Sequence, residues 1–76
     1  MEFDKIFQEG KELCECYVAR IGPKTGCLMG NYELKLYEYY ILKTKNNLEF
    51  KIYIMDIDKP PNGMWSYKFN VAAKIK

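Results

Sequence analysis

Two aspartates near the end of a strand-like run are the first residues that could support chemistry. Asp56 and Asp58 are two positions apart, so on a strand their carboxylates point to the same side. Carboxylate oxygens bind divalent cations, but no third ligand lies nearby in the sequence. We therefore expect these residues to form a charged flank of a turn, and we predict no metal site.

The three cysteines are the second candidates. Cys14, Cys16 and Cys27 occur in a chain without histidine, whereas a structural zinc site takes four Cys or His ligands and a catalytic thiol needs a base that activates it. An odd number of cysteines without a secretory signal indicates free thiols in a reducing cytoplasm. We expect all three to pack as small apolar residues.

The remaining catalytic motifs are incomplete. Ser66 is the single serine of the chain, and no histidine is present to act as its base. The Lys24-Thr25-Gly26 segment matches one fragment of the penicillin-binding enzyme signature, but its Ser-x-x-Lys partner is missing. We predict that the protein is not an enzyme, has no catalytic residues and takes no cofactor.

Tyrosine is the residue type that most strongly suggests a binding surface, with seven copies in 76 residues. Exposed aromatic side chains anchor protein partners, and on a sheet they also stack on unpaired bases while lysines contact phosphates. A third interpretation is structural, because tyrosine pairs stabilise sheets. The candidate binding residues are Tyr37, Tyr39, Tyr40, Tyr53, Lys35, Lys51 and Lys68.

The first twenty residues carry the clearest periodicity. Apolar residues recur at three- and four-residue spacing from Phe3 to Ile21, which is typical of an amphipathic helix. Gly22 and Pro23 then form a helix stop signal. We predict a helix over about residues 3–21.

Gly10 lies in the middle of the apolar stripe, where glycine costs about 1 kcal/mol relative to alanine in a helix interior, and we expect it to let a strand approach the helix closely. In the alternative interpretation residues 12–21 form a strand, and Cys14 and Cys16 then share one face.

The rest of the chain has the pattern of β-strands. Turn signals at Asn46-Asn47 and at residues 60–63 separate three runs that are rich in β-branched and aromatic residues. Alternation with period two indicates an antiparallel sheet with one buried face. We predict strands at about residues 32–45, 48–57 and 64–75.

The register of the first hairpin has two solutions. A three-residue loop over residues 45–47 places Lys43 opposite Glu49, a favourable pair, but it also places Glu38 on the core face. A bulge near Tyr37 and Glu38 with a two-residue turn keeps that carboxylate outside. We favour the bulge, because burying an unpaired carboxylate is costly. It directs inward Leu34, Leu36, Tyr39 and Ile41.

Together these elements predict one small α+β domain over residues 1–76, in which the N-terminal helix packs on a three-stranded antiparallel meander in the order 1-2-3. Such an open sheet has two unpaired edges, which suit dimerisation or strand addition. The predicted core consists of Phe3, Ile6, Phe7, Leu13, Tyr17, Val18, Leu34, Leu36, Phe50, Ile52, Ile54, Trp65, Phe69 and Val71.

Composition limits the function classes. The net charge is +2, too small to indicate a nucleic-acid partner by itself. No apolar run reaches the roughly 18 residues of a membrane span, and no secretory signal opens the chain. We therefore predict a cytoplasmic protein without membrane contact.

The prediction for function is a small binding protein that acts sterically on a protein partner. An amino-acid composition rich in Lys, Asn, Ile and Tyr is typical of proteins encoded by AT-rich DNA. It fits an inhibitor or accessory protein of a phage or mobile element. A homodimer is the second partner prediction, because the long first strand would extend past the core. The alternative function is single-stranded nucleic-acid binding through the same tyrosines and lysines.

Overall fold

The chain folds as an all-β protein in the computed structural model, which describes residues 2–61 and 63–76. No helix occurs among these residues, so none could cross a membrane. The six strands are β1 (Asp4–Gln8), β2 (Lys11–Ile21), β3 (Thr25–Gly30), β4 (Tyr39–Lys43), β5 (Glu49–Asp58) and β6 (Trp65–Lys74).

The strands close into a barrel in the order β1-β2-β3-β6-β5-β4. Two three-stranded meanders, β1–β3 and β4–β6, meet along two antiparallel seams, β3 with β6 and β1 with β4. Because every strand has two neighbours, the sheet has no unpaired edge. The α+β fold class and the open meander in the order 1-2-3 are therefore wrong, and so is the edge argument for a homodimer.

The predicted helix over residues 3–21 is replaced by the β1–β2 hairpin. Its turn consists of Glu9 and Gly10, both with positive φ, at 52° and 79°. Two successive positive φ angles are the geometry of a type I′ hairpin turn, which favours glycine. Gly10 is thus a turn residue and not part of a helical stripe.

Two bulges in β2 explain why its sequence looks helical. The register shifts between Ile6 and Phe7 leave Leu13 as an extra residue, and a second shift leaves Ala19 unpaired between Val18 and Arg20. A bulge moves the inward-facing positions by one residue. Inward-facing apolar residues then lie one, two or three positions apart, and together with the exposed Phe3 and Tyr17 they produce a helix-like spacing.

The later strand predictions agree better with the structure. Predicted strands 48–57 and 64–75 correspond to β5 and β6. The predicted strand 32–45 is too long, because only Tyr39–Lys43 forms β4 and Tyr37 has a φ of 62°. A non-glycine residue with a positive φ departs from the extended conformation and so interrupts a strand. The turn predicted at residues 60–63 contains a hydrogen bond from Gly63 N to Pro60 O of 3.4 Å, while Asn62 lies outside the described residues.

The β4–β5 hairpin has the three-residue loop over residues 45–47, so the favoured bulge near Tyr37 and Glu38 is wrong. Lys43 pairs with Glu49, and their side chains form an ion pair of 3.3 Å. Asn47 has a φ of 67° and donates its N–H to Thr44 O, as expected for a three-residue hairpin loop. Glu38 avoids the core because it precedes β4, where it is half-buried and accepts a hydrogen bond of 3.3 Å from Gln8 Nε2.

The barrel interior is filled by side chains from all six strands. Predicted core residues Phe3, Tyr17 and Leu36 are instead exposed, at 48%, 56% and 42%. The predicted helix and the long first strand would have covered these residues, and neither element forms. The buried apolar residues are Ile6, Cys16, Leu28, Leu34, Tyr40, Leu42, Phe50, Ile52, Ile54, Tyr67 and Phe69.

The connection from β3 to β4 joins strands on opposite sides of the barrel, so it must cross one end. Leu34 from this connection is buried in the core. Its N–H donates to Tyr67 Oη at 2.8 Å, and Tyr67 Oη donates to Tyr32 O. The N–H of Lys35 donates to Tyr40 Oη at 2.9 Å. Two buried hydroxyls thereby satisfy backbone groups that have no strand partner.

Asp4 is a buried carboxylate that joins three parts of the barrel. Its Oδ2 accepts the N–H of Val18 in β2 at 3.0 Å, and its Oδ1 accepts the N–H of Lys45 in the β4–β5 loop at 2.8 Å. Backbone N–H groups that lose a buried partner cost about 1–3 kcal/mol each. Asp4 therefore holds β1 against both of its neighbours.

We expect Asp4→Ala to lower the free energy of unfolding by at least about 2 kcal/mol, because two backbone N–H groups lose their acceptor. Urea denaturation followed by circular dichroism measures this change. Asp58→Ala, at an exposed position, is the control and should shift stability by less than about 0.5 kcal/mol. Equal stabilities of Asp4→Ala and the parent protein would contradict the assigned role.

Gly26 is the glycine for which β3 has no room for a side chain. A Cβ at this position would lie 2.6 Å from Arg20 O and would overlap the Phe69 ring. At Gly30, at the other end of the strand, the nearest atom would be 3.5 Å away. Gly26→Ala should therefore destabilise the barrel by about 1–3 kcal/mol, while Gly30→Ala should be nearly neutral. Thermal unfolding of both variants tests this difference.

Candidate functional site

Three tyrosines gather on the outer surface of the barrel. The ring centroids of Tyr39 and Tyr53 are 4.8 Å apart, and those of Tyr37 and Tyr53 are 6.2 Å apart. Lys51 Nζ lies 4.6 Å from the Tyr39 ring centroid, which is a cation–π contact. We call these four residues, Tyr37, Tyr39, Tyr53 and Lys51, the tyrosine patch.

The β4–β5 ladder positions the patch. Tyr39 is directly opposite Tyr53 in the register, so their side chains lie on the same face. Tyr37 joins them because its N–H donates to Ile54 O at 2.8 Å, which holds the residue beside β5 despite its positive φ. Backbone hydrogen bonds therefore hold the three tyrosine residues side by side.

A shallow cleft of about 420 Å³ borders the patch. Gln8 links two of the residues that line this cleft, because the Gln8 Nε2 donates hydrogen bonds to Glu38 Oε1 and, at 3.1 Å, to Tyr39 O. Two carboxylates, those of Glu9 and Glu38, lie among the lining residues. The full lining consists of Phe7, Gln8, Glu9, Tyr37, Glu38, Tyr39, Tyr40, Ile41 and Lys51.

The structure separates the other predicted binding residues from the patch. Tyr40 is 4% exposed, so its ring belongs to the core and is not available as an anchor. Lys35 is exposed in the connection before β4. Lys68 is on β6 opposite Asp56, in a depression that also contains Asp58. The seven residues therefore do not form one surface.

Two apolar residues beside the patch were missed by the sequence analysis. Phe7 and Ile41 face each other across the β1–β4 seam and both line the cleft. Lys43 Nζ lies 5.8 Å from the Phe7 ring centroid. A helix over residues 3–21 would have directed Phe7 into the core, so only barrel closure brings it next to the tyrosines.

Neither the aspartates nor the cysteines form a metal centre in the described part of the chain, where no cluster of three or more His, Cys, Asp or Glu residues occurs. Asp56 Oδ1 accepts the N–H of Ile57 at 2.9 Å, so this carboxylate is engaged locally. The three cysteines are free thiols.

Burial determines the state of two of these thiols. It raises the pKa of Cys16 to about 12 and that of Cys14 to about 11, with the nearby carboxylates of Asp4 and Glu12 acting in the same direction. Both thiols stay protonated at neutral pH, so neither is a nucleophile. Cys14 and Cys16 share an inward face of β2, as the strand interpretation required.

The raised thiol pKa values predict a loss of stability at alkaline pH. In the unfolded chain the thiols ionise near pH 9, whereas in the barrel they keep their protons to about pH 11–12. The folded state then binds more protons than the unfolded state, so the free energy of unfolding falls as pH rises through this window. Urea titrations at pH 8, 9 and 10 measure the slope, and Cys16→Ala should make it shallower.

Comparison of the chain with protein-family models, with curated proteins and with solved structures gave no match. The geometry of the candidate site is therefore the basis for proposing a function.

Proposed function

We propose that this chain is a small non-catalytic protein that binds a protein partner through the tyrosine patch and acts by occupying the partner's surface. The observation that carries the proposal is the arrangement of Tyr37, Tyr39 and Tyr53 as one contiguous aromatic group. Tyr37 is 62% exposed and Tyr39 is 51% exposed. Tyrosines at interfaces supply large contact area at a low cost in conformational entropy.

Apolar neighbours extend the patch toward the size of an interface core. Phe7 and Ile41 are half-buried along the cleft, so a partner side chain seated there would contact apolar and aromatic surface. Central aromatic anchors surrounded by a polar rim are typical of binding hot spots. Lys51 and Glu38 supply such a rim and favour one orientation of the partner.

The charges around the patch favour a protein over single-stranded nucleic acid. Glu9 and Glu38 line the cleft and would repel phosphates. Lys43 is already paired with Glu49, and Lys68 lies beside two aspartates on another part of the barrel. A phosphate-tracking groove instead needs unpaired cations along its length.

The setting that we propose is the cytoplasm, in a phage or mobile-element context, with a host protein as the target. Three free thiols are compatible with a reducing compartment. The Lys-, Asn-, Ile- and Tyr-rich composition supports the AT-rich coding typical of such elements. The amino-acid composition and the free thiols are the observations that support this setting.

The test compares ring removal with ring retention at one position. A partner is captured from a lysate of the host cell, and its dissociation constant is then measured by calorimetry. Tyr39→Ala should weaken binding by about 30-fold or more, as for a hot-spot residue, while Tyr39→Phe keeps the ring and should cost much less. Raising salt from about 50 to about 200 mM should change the affinity by less than about tenfold.

Fluorescence anisotropy with random single-stranded DNA and RNA is the opposing measurement. Micromolar binding that falls by about 10³-fold or more over the same salt range, and that Tyr53→Ala abolishes, would contradict the proposal and support the nucleic-acid alternative. The absence of binding at low salt would exclude the nucleic-acid alternative for the patch.

A further inference from the structure

A second cleft lies on another part of the barrel and shares no residue with the tyrosine patch. Its volume is about 510 Å³, within the range of ligand-binding clefts. Four of the exposed large apolar side chains of the described chain surround it, each between 42% and 56% exposed: Phe3, Tyr17, Tyr32 and Met64.

The cleft lies where β2 passes from its pairing with β1 to its pairing with β3. Tyr17 in β2 is opposite Met29 in β3, and Phe3 precedes Asp4, which is opposite Cys16. Beyond the end of β3 the chain turns away across the end of the barrel, which brings Tyr32 to the cleft. The aromatic residues thus come from three different segments and surround a common space.

The rings around this cleft differ from those of the tyrosine patch in one respect. Tyr37, Tyr39 and Tyr53 pack on one another, whereas no ring contact joins Phe3, Tyr17 or Tyr32 among the described residues. None of these three rings is therefore covered by another ring of the described residues.

Among the described residues, Glu15 is the only charged one that lines the cleft. It is two residues before Tyr17 on β2, so both side chains lie on one face of the strand. Lys5 is opposite Glu15 in the register, but its Nζ pairs with Glu12 Oε1 at 3.3 Å. Within the described residues the Glu15 carboxylate has no hydrogen bond or ion pair.

We propose that this cleft binds an arginine side chain of a protein partner. Aromatic faces attract cations, and an unpaired carboxylate at the same cleft accepts N–H groups from a guanidinium. Arginine fits better than lysine, because its planar and weakly hydrated head stacks on rings. Within the described part of the chain, no lysine or arginine that would repel it lines the cleft.

The probe is the peptide acetyl-Ala-Arg-Ala-amide, titrated into the whole ¹⁵N-labelled chain and followed by NMR. The amides of Tyr17 and Met29 should shift, and the citrulline peptide, which has the same shape without the charge, should bind at least about fivefold more weakly. The lysine peptide should lie between the two.

Charge removal at two matched positions locates the binding site. Glu15→Gln should weaken the arginine peptide by about fivefold or more, while Glu9→Gln, the same change beside the tyrosine patch, should leave it unchanged. Both positions are exposed, so the spectra should retain the folded pattern. Tyr17→Ala should weaken binding as well, and Tyr39→Ala should not.

Three results would overturn the inference: equal affinity for the arginine and citrulline peptides, equal effects of Glu15→Gln and Glu9→Gln, or no shift of the cleft amides at the highest soluble peptide concentration. None of these three results bears on the proposed function of the tyrosine patch, because Tyr39→Ala tests that surface in a separate binding experiment.

Discussion

Closure of the sheet along the β1–β4 seam is the constraint on which the rest of the molecule depends. The seam is short, with three register pairs from Lys5–Lys43 to Phe7–Ile41, and the carboxylate of Asp4 supports it from inside by accepting backbone N–H groups of β2 and of the β4–β5 loop. A chain of this size has little apolar surface to bury. A closed barrel buries the inward face of both meanders, and neither meander keeps an unpaired edge.

Closure also divides the tyrosines into two groups with different roles. Tyr40 and Tyr67 are buried, and their hydroxyls serve backbone N–H groups of the segment that crosses the barrel end. Desolvation raises the pKa of both phenols, so they remain neutral donors and acceptors. The other five tyrosines, three in the tyrosine patch and two (Tyr17 and Tyr32) beside the second cleft, lie outside the core, and among the described residues their hydroxyls make no such hydrogen bond. Heavy tyrosine usage in this chain therefore reflects two separate requirements, which the count of seven does not distinguish.

The two candidate surfaces differ in how they would recognise a partner. At the tyrosine patch the rings pack together and present a preformed apolar anchor with a mixed-charge rim. At the second cleft the rings make no contact with one another among the described residues, and Glu15 lines the same cleft. The first geometry suits insertion of the patch into a partner, and the second suits insertion of a partner's side chain into this protein. Their separation on the barrel would let one partner contact both or two partners bind independently.

The register of the β4–β5 hairpin, and with it the side of Tyr39, had two solutions, whereas the sequence by itself determined the late strands, the free thiols, and Tyr37 and Tyr53 as surface candidates. These features depend on local signals: period-two alternation, asparagine in a turn, and the absence of histidine ligands. Only the tertiary structure decided that residues 4–21 are strands, since bulges at Leu13 and Ala19 shift the apolar pattern into a helix-like spacing. It also decided that Tyr40 is internal and that Phe7 lies outside beside Ile41. Those positions follow from which strands become neighbours when the barrel closes, and pairing between residues far apart in sequence leaves no local periodicity from which to infer it.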